Sequence, residues 1–189
     1  MAERLPGLIV RPMTEGDVQR VLEIAARTAQ APHWPRAAYL TALDAQATPR
    51  RIALVAEIDA RWNPSATSAE IPLCAADKAQ GEDREGLAPP SGLAVVAFAV
   101  ASVVAPQAEL ESIAVDASAR RRGVAHALLA AIANVLCGLG ATDLLLEVRA
   151  SNQPALELYS GCGFEPVALR SRYYIDPVED AVLMTARLN

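Results

Sequence analysis

The chain has 189 residues, of which 52% are apolar and 21% charged. That length is typical of one domain, and that composition predicts a buried core and excludes intrinsic disorder. The net charge is −5 and only 4% of the residues are aromatic. We therefore expect no nucleic-acid partner, because the chain lacks both a basic field and a platform for base stacking.

The three cysteines are odd in number, far apart and form no CxxC pair: Cys74, Cys137 and Cys162. This pattern predicts neither a disulfide framework nor a zinc site, and it fits a reducing cytoplasm. With two histidines in the chain, no metal is expected. The longest apolar run, 93–105, is shorter than the roughly 18 residues of a membrane span, so it predicts a buried strand.

The N-terminal half shows alternating strand and helix patterns. Thr14 and Asp17 form a capping-box spacing before an apolar 3.6-residue period, which predicts an amphipathic helix. A second helix is predicted after Pro35. Residues 59–92 are rich in Pro, Gly and acidic residues and hold no period, so we predict a flexible inserted loop within a single domain, 1–189. Strands are predicted at 8–11 and 51–58.

The C-terminal half carries the longest predicted helix, 123–138, whose apolar residues recur at i+3 and i+4 spacing. A shorter helix is predicted at 154–160. The predicted strands are 93–100, 108–115, 143–150, 164–175 and 181–188. Strands flanked by helices predict an α/β fold: a mixed, mostly antiparallel sheet of six to seven strands with helices on both faces.

A basic triplet, 120–122, stands between the strand ending at Val115 and the long helix beginning at Gly123. The first turn of a helix has unpaired N–H groups and partial positive charge, and Gly123 and Ala125 are small enough for a phosphate to approach. Cations are unfavourable at a helix N-terminus, so three arginines there indicate a bound anion rather than a solvated surface. A dinucleotide-binding turn is the rival, but GxGxxG is missing.

At this point a family resemblance can be stated. Arg-x-x-Gly-x-Ala at 120–125 resembles the acyl-CoA pyrophosphate signature of the GNAT N-acetyltransferase superfamily. The blocks 146–152 (LEVRASN) and 155–159 (ALELY), together with 163–164, 170–174 and 179–184, resemble its ribosomal-protein-alanine N-acetyltransferase (RimI-type) group. The resemblance is close over 108–188 and loose over 8–58.

The resemblance implies a general base and a general acid. Glu147 matches the family's base, and a carboxylate among the apolar residues of a strand needs a partner or a task; pairing with Arg149 is the alternative. Tyr159 matches the acid that protonates the CoA thiolate, and a core tyrosine is its alternative. Direct transfer is expected, because no cysteine is placed as an acyl carrier.

The resemblance also implies contacts with acetyl-CoA as cosubstrate, with no metal. The backbone of the strand would pair with the pantetheine amides, the turn and helix start would hold the diphosphate, and Asn152 would both cap the short helix and contact the CoA arm. His126 is expected to support a phosphate rather than to catalyse. The cofactor-binding residues are then Ile113, Ala114, Val115, Arg121, Arg122, Gly123, Val124, Ala125, His126 and Asn152.

Acceptor recognition follows the family less closely. Trp34, Tyr173 and Tyr174 are the candidate acceptor-binding residues, and the two tyrosines could equally pack on an edge strand. Ala25 and Ala26 stand where many relatives carry a glutamate. The expected function is acetylation of the N-terminal α-amine of a protein or peptide, such as a ribosomal protein, by a cytoplasmic monomer or weak homodimer. A small amine or a lysine as acceptor, or a non-catalytic CoA-binding module, are the alternatives.

Overall fold

The computed structural model describes residues 3–5, 7–59 and 93–188. The loop predicted at 59–92 lies outside the described residues apart from Asp59. Eight strands are present in the described chain: β1 (Glu3–Leu5), β2 (Leu8–Pro12), β3 (Arg50–Ile58), β4 (Ala94–Val104), β5 (Gln107–Val115), β6 (Asp143–Arg149), β7 (Glu165–Ile175) and β8 (Val178–Arg187). Its four α-helices are α1 (Val18–Ala26), α2 (Arg36–Ala42), α3 (Val124–Gly138) and α4 (Gln153–Gly161).

The strands form one mixed sheet in the order β1-β2-β3-β4-β5-β6-β8-β7. Neighbouring strands are antiparallel except β5 and β6, which are parallel because the crossover helix α3 connects them. The predicted α/β fold class is confirmed. The sheet has one strand more than expected, since Glu3–Leu5 folds back on β2 as a short hairpin.

Two apolar clusters cover the two faces of the sheet. Along β3, Leu54 and Ala56 belong to the cluster beneath α3 and α4, whereas Ala53 and Val55 belong to the cluster beneath α1 and α2. This alternation follows from the two-residue period of a strand, and it explains why the central strands are apolar on both faces. The helices therefore lie on both faces, as predicted.

The capping-box prediction is confirmed in the 3₁₀ turn, Glu15–Asp17, that leads into α1. The Asp17 carboxylate accepts hydrogen bonds at 2.8 Å from the Thr14 backbone N–H and hydroxyl. The helix then buries Val18, Val21 and Ile24 completely. Among the described residues, none of the helices is both long and apolar enough to cross a membrane.

Two of the three cysteines, Cys137 and Cys162, lie in the described part of the chain. Cys162 is a buried free thiol, and burial raises its pKa to about 11. A thiol of that pKa is almost wholly protonated near neutral pH, which agrees with the expectation that it is no acyl carrier.

Candidate active site

The centre of the sheet opens where β5 and β6 separate. The two strands pair only from Gln107 with Asp143 to Leu110 with Leu146. Beyond these residues β5 continues to Val115 without a partner on its β6 side. Strand backbone groups point alternately to the two edges, so half of the N–H and C=O groups of 111–115 face this gap. They are available to an extended ligand that adds to the strand.

A bulge in β5 lies at the start of the gap. Val100 pairs with Ser112 and Ala101 with Leu110, so Glu111 is the extra residue. In a regular strand Leu110 and Ala114 would lie on the same face, because they are four residues apart. After the bulge they lie on opposite faces: Leu110 packs beneath α3, whereas Ala114 packs beneath α1 and α2. Bulges bend a strand and end its pairing, which accounts for the separation of β5 from β6 at this level.

The N-terminus of α3 follows directly from β5. Gly123 precedes the helix with φ of 76°, and no side chain of the described residues caps the first turn. The first N–H groups of α3 are therefore available to a ligand, and the helix dipole favours an anion there. Arg121 also has a positive φ, 59°, which is unusual for a residue with a side chain. The turn is shaped as an anion-binding concavity.

The three arginines of the turn have different environments. Arg120 is held in the protein, because its Nε donates to the carbonyl of Val115 at 3.1 Å and its guanidinium reaches Thr28 in the segment after α1. Arg121 is exposed, and Arg122 is partly exposed. Arg120 thus fixes the turn to the end of β5, while Arg121 remains available for the predicted phosphate contact.

His126 lies in the first turn of α3 as predicted. Its Nδ1 is buried and has no hydrogen-bond partner among the described residues. Asn152 is the N-cap of α4, and its side chain accepts the N–H of Ala155 at 3.4 Å, with Pro154 in the first turn. The predicted capping role of Asn152 is therefore confirmed, and its contact with the CoA arm stays a prediction.

Glu147 is the first residue of β6 beyond the last pair with β5. Leu146 and Val148 pack beneath α3, so Glu147 points to the opposite face, toward the α1 and α2 side. The alternative pairing with Arg149 is not observed. The partner of Glu147 is Arg170 of β7, whose guanidinium lies 2.5 Å from the Glu147 carboxylate.

Tyr173 completes the polar surroundings of Glu147. A hydrogen bond with Glu147 and partial burial raise the pKa of Tyr173. Arg170 lies 5.5 Å from the centre of the Tyr173 ring, within cation–π range. Glu147, Arg170 and Tyr173 together line a cavity of about 390 Å³ that extends along β5 and β6. This shared cavity supports the expected place of Tyr173 near the acceptor, and its role in binding stays a prediction.

Glu109 brings a second carboxylate into the same cavity. It alternates with the buried residues Ala108 and Leu110 and therefore shares the face of Glu147. Burial and repulsion by Glu147 raise the pKa of Glu109. The cavity is thus polar and anionic around Glu147, an environment suited to a cationic amine.

Tyr159 lies on α4, beneath the sheet on the α3 side. It is 6% exposed and packs against Phe164 with ring centres 5.6 Å apart. Burial raises its pKa well above the ordinary value, so the hydroxyl keeps its proton near neutral pH. No hydrogen bond within the described residues occupies that hydroxyl. Tyr159 is therefore a packed core residue, and its role as a proton donor stays a prediction.

Tyr174 and Trp34 both pack against other side chains. Arg149 stacks on the Tyr174 ring at 4.1 Å and also contacts Glu179 at 3.2 Å. Trp34 packs against Tyr39 with ring centres 5.4 Å apart, and it is not among the residues that line the cavity. Their roles in acceptor binding stay predictions.

Two cavity residues were missed at the level of sequence, Glu109 and Arg170. Arg170 was part of the 170–174 block, but nothing in a single sequence shows that β8 lies between β6 and β7. The register pairs Arg149 with Ala181 and Ala181 with Arg170, which puts Arg170 on the face of Glu147. Among the described residues there is no cluster able to hold a metal ion.

The described geometry fits a CoA thioester: a gap with unpaired strand backbone, an uncapped helix start after a basic turn, and a carboxylate at the point of separation. These features define an acyltransferase-type fold and site. Residues 32–164 match the family described as acetyltransferase (GNAT). The chain belongs to the GNAT acetyltransferase family.

Individual relatives agree with this assignment. The chain is 42% identical over 92 residues to the ribosomal protein bS18-alanine N-acetyltransferase of Escherichia coli K12, covering 48% of this chain and 62% of that protein. The chain therefore spans less than two thirds of the length of that relative.

Solved structures share the fold. The E. coli ribosomal-protein-S18-alanine N-acetyltransferase superposes with a TM-score of 0.69 at 24% identity, covering 96% of this chain and 94% of that one. Arabidopsis thaliana NAA60 in complex with acetyl-CoA superposes with a TM-score of 0.70 at 16% identity, covering 96% and 99%.

Proposed function

We propose that this protein is an acetyl-CoA-dependent N-acetyltransferase that acetylates the N-terminal α-amine of a protein or peptide by direct transfer. The observation that carries the proposal is the position of Glu147, at the point where β5 and β6 separate and inside the polar cavity. The similarity to an alanine N-acetyltransferase of a ribosomal protein supports a protein N-terminus as acceptor.

The cosubstrate supplies the acetyl thioester. We assign its pantetheine arm to the unpaired backbone of Ile113, Ala114 and Val115, and its diphosphate to the turn and first residues of α3. The residues assigned to the diphosphate are Arg121, Arg122, Gly123, Val124, Ala125 and His126. Small residues and unpaired N–H groups permit that close approach. Asn152, at the start of α4, would contact the arm from the other side of the gap.

Glu147 would act as general base and Tyr159 as general acid. The carboxylate accepts a proton from the acceptor ammonium, directly or through water, and releases it to solvent. The neutral amine nitrogen then forms the bond to the acetyl carbon, and its second proton passes to the same carboxylate. The carbon–sulfur bond breaks, the Tyr159 hydroxyl donates its proton to the departing thiolate, and solvent reprotonates Tyr159. A weaker base is enough to deprotonate an α-amine, whose ordinary pKa is about 7.7–8.0, than to deprotonate a lysine, whose ordinary pKa is about 10.4.

A peptide panel tests the acceptor. Peptides beginning with Ala, Ser, Met or Gly are incubated with labelled acetyl-CoA, beside N-terminally blocked peptides whose lysines are the acceptor amines. Mass spectrometry is expected to find the label on the α-amine of the first set. Label on lysines alone would disprove the N-terminal assignment, and label on neither set would favour a small amine.

A second test separates an enzyme from a CoA-binding module. Both Glu147→Gln and Tyr159→Phe should bind CoA with unchanged affinity but lose turnover. Unchanged turnover in both variants would remove the catalytic assignment. The cytoplasmic location, and the monomer or weak homodimer, stay predictions from the sequence.

A further inference from the structure

We propose that Arg170 is a positioning residue that holds the Glu147 carboxylate in place for the acceptor. The inference rests on the proposed function of Glu147 as a base. Its starting observation is the contact of 2.5 Å between the Arg170 guanidinium and the Glu147 carboxylate. No other ion pair to Glu147 is present within the described residues.

The contact crosses a whole strand. Arg170 is on β7, the outermost strand, and β8 separates it from β6. The residue of β8 opposite Arg170 is Ala181, whose small side chain is completely buried. A larger side chain at that place would stand in the path of the guanidinium. The length of arginine and the smallness of alanine together allow β7 to act on a residue two strands away.

The backbone of β7 is shaped around this contact. Its pairing with β8 is interrupted between Arg170 and Tyr174, and Arg172 has a φ of 55°. Such a conformation is strained for a residue with a side chain. The interruption places Arg170 and Tyr173 in one cavity, so the guanidinium and the Tyr173 hydroxyl both act on Glu147.

The charges around Glu147 explain why a cation is needed there. Glu109 of β5 faces it and repels it, whereas Tyr173 and Tyr174 of β7 are neutral near pH 7. Arg149 of β6, the strand of Glu147, contacts Glu179 and the Tyr174 ring instead. Among the described residues, Arg170 is therefore the cation that contacts the Glu147 carboxylate and holds it in place.

The guanidinium also restricts the approach of the acceptor. The contact takes one oxygen, Oε1, and a carboxylate can accept at both oxygens. The ammonium, or the water that relays its proton, is directed to the remaining acceptor positions. Arg170 has a side chain that is 53% exposed while that of Glu147 is 15% exposed, so the pair forms the solvent side of the site.

The test follows the position of the Glu147 side chain directly. Protein labelled with ¹³C in glutamate is studied by NMR relaxation, with Glu147→Gln used to assign the signal. In Arg170→Gln the Glu147 side chain should become more mobile, because the contact with the guanidinium is lost. Arg170→Lys should restore part of the order. Arg187→Gln, which removes another arginine–carboxylate pair of the sheet, at 3.0 Å from Asp143, is the matched control and should change nothing.

Kinetics with the acceptor peptide complete the test. Arg170→Gln should lower kcat/KM about tenfold or more, with CoA affinity unchanged, and Arg170→Lys should recover part of the loss. In the Glu147→Gln background Arg170→Gln should cost nothing further, since residues of one network are not additive. An unchanged mobility of Glu147 in Arg170→Gln, or a further loss of kcat/KM in the Glu147→Gln background, would overturn the proposal. Absence of peptide acetylation by the unmodified protein would instead refute the proposed function, and the relaxation measurement would still test the contact.

Discussion

Glu147 and Tyr159 lie on opposite faces of the sheet. Glu147 points away from the cluster beneath α3 and shares a cavity with Arg170, whereas Tyr159 is part of that cluster. A proposed base on one face and a proposed acid on the other suit a reaction in which the amine enters opposite the leaving thiolate.

Glu147→Gln should lower kcat/KM for the acceptor by about 10²-fold or more. The amide has nearly the shape of the carboxylate but cannot accept the proton. The change leaves α3 untouched, so calorimetry should give an unchanged Kd for CoA. Arg187→Gln is the matched control for altered sheet charge. Turnover of Glu147→Gln within twofold of the unmodified protein would remove Glu147 from the mechanism.

Tyr159→Phe should reduce kcat strongly while KM for the acceptor and Tm change little. The ring still packs on Phe164, and only the proton donor is lost. Because the pKa of Tyr159 is raised by burial, its proton is retained in alkaline solution. The kcat profile of the unmodified protein should therefore show no decrease between about pH 8 and 10 from this group. A decline of kcat in that range that disappears in Tyr159→Phe would contradict the raised pKa, whereas a kcat of Tyr159→Phe within twofold of that of the unmodified protein would contradict the assignment.

Much of the fold could be predicted because local patterns agree with the final structure. The capping box at Thr14 and the apolar period of α3 act within a few residues, and both elements form where expected. The hairpin strand Glu3–Leu5 was missed because three residues carry too little period to be recognised.

The site was predicted in part, for a physical reason. Glu147 and Tyr159 lie in blocks whose residues are close in sequence, so a resemblance could mark them. The partner of Glu147 depended on strand order and register, which bring Arg170 across β8. Arg149, two residues along the same strand, was the nearer choice in sequence, but its side chain contacts Glu179 and Tyr174 instead.

Ala125→Asp tests the diphosphate assignment with effects of opposite sign. An acidic residue in the first turn of α3 interacts favourably with the helix dipole, so Tm should stay equal or rise. The same charge repels a diphosphate at those N–H groups, so Kd for CoA should rise about tenfold or more. Acetyl-pantetheine, which has no diphosphate, is the control ligand, and its affinity should be unaffected. Equal loss of both ligands would place the diphosphate elsewhere.

The network of Arg11, Asp17 and Glu57 predicts how stability depends on pH. Arg11 donates to both oxygens of Asp17, at 2.7 and 2.8 Å, and its Nε donates to Glu57 at 3.1 Å. Burial opposes the charge on Asp17, but the hydrogen bonds from Arg11 and Thr14 outweigh it, and the net effect lowers the pKa of Asp17 below 3.8. The two carboxylates are 8% and 5% exposed. The ionised form of Asp17 therefore depends on the guanidinium.

A depressed pKa means that the unfolded chain binds the proton more readily than the folded one. The stabilisation from Asp17 is complete above its ordinary pKa and is lost as the pH falls through the lower, folded value. The free energy of unfolding, measured with urea from about pH 6 to 2, should decrease in this acid range, and Asp17→Asn should flatten the dependence. Arg11→Ala should cost about 3 kcal/mol at neutral pH, since it leaves two buried carboxylates without their cation. The exposed pair of Arg187 and Asp143 is the control, and Arg187→Ala should cost about 1 kcal/mol or less. A steeper acid dependence in Asp17→Asn than in the unmodified protein would show that another carboxylate controls acid unfolding.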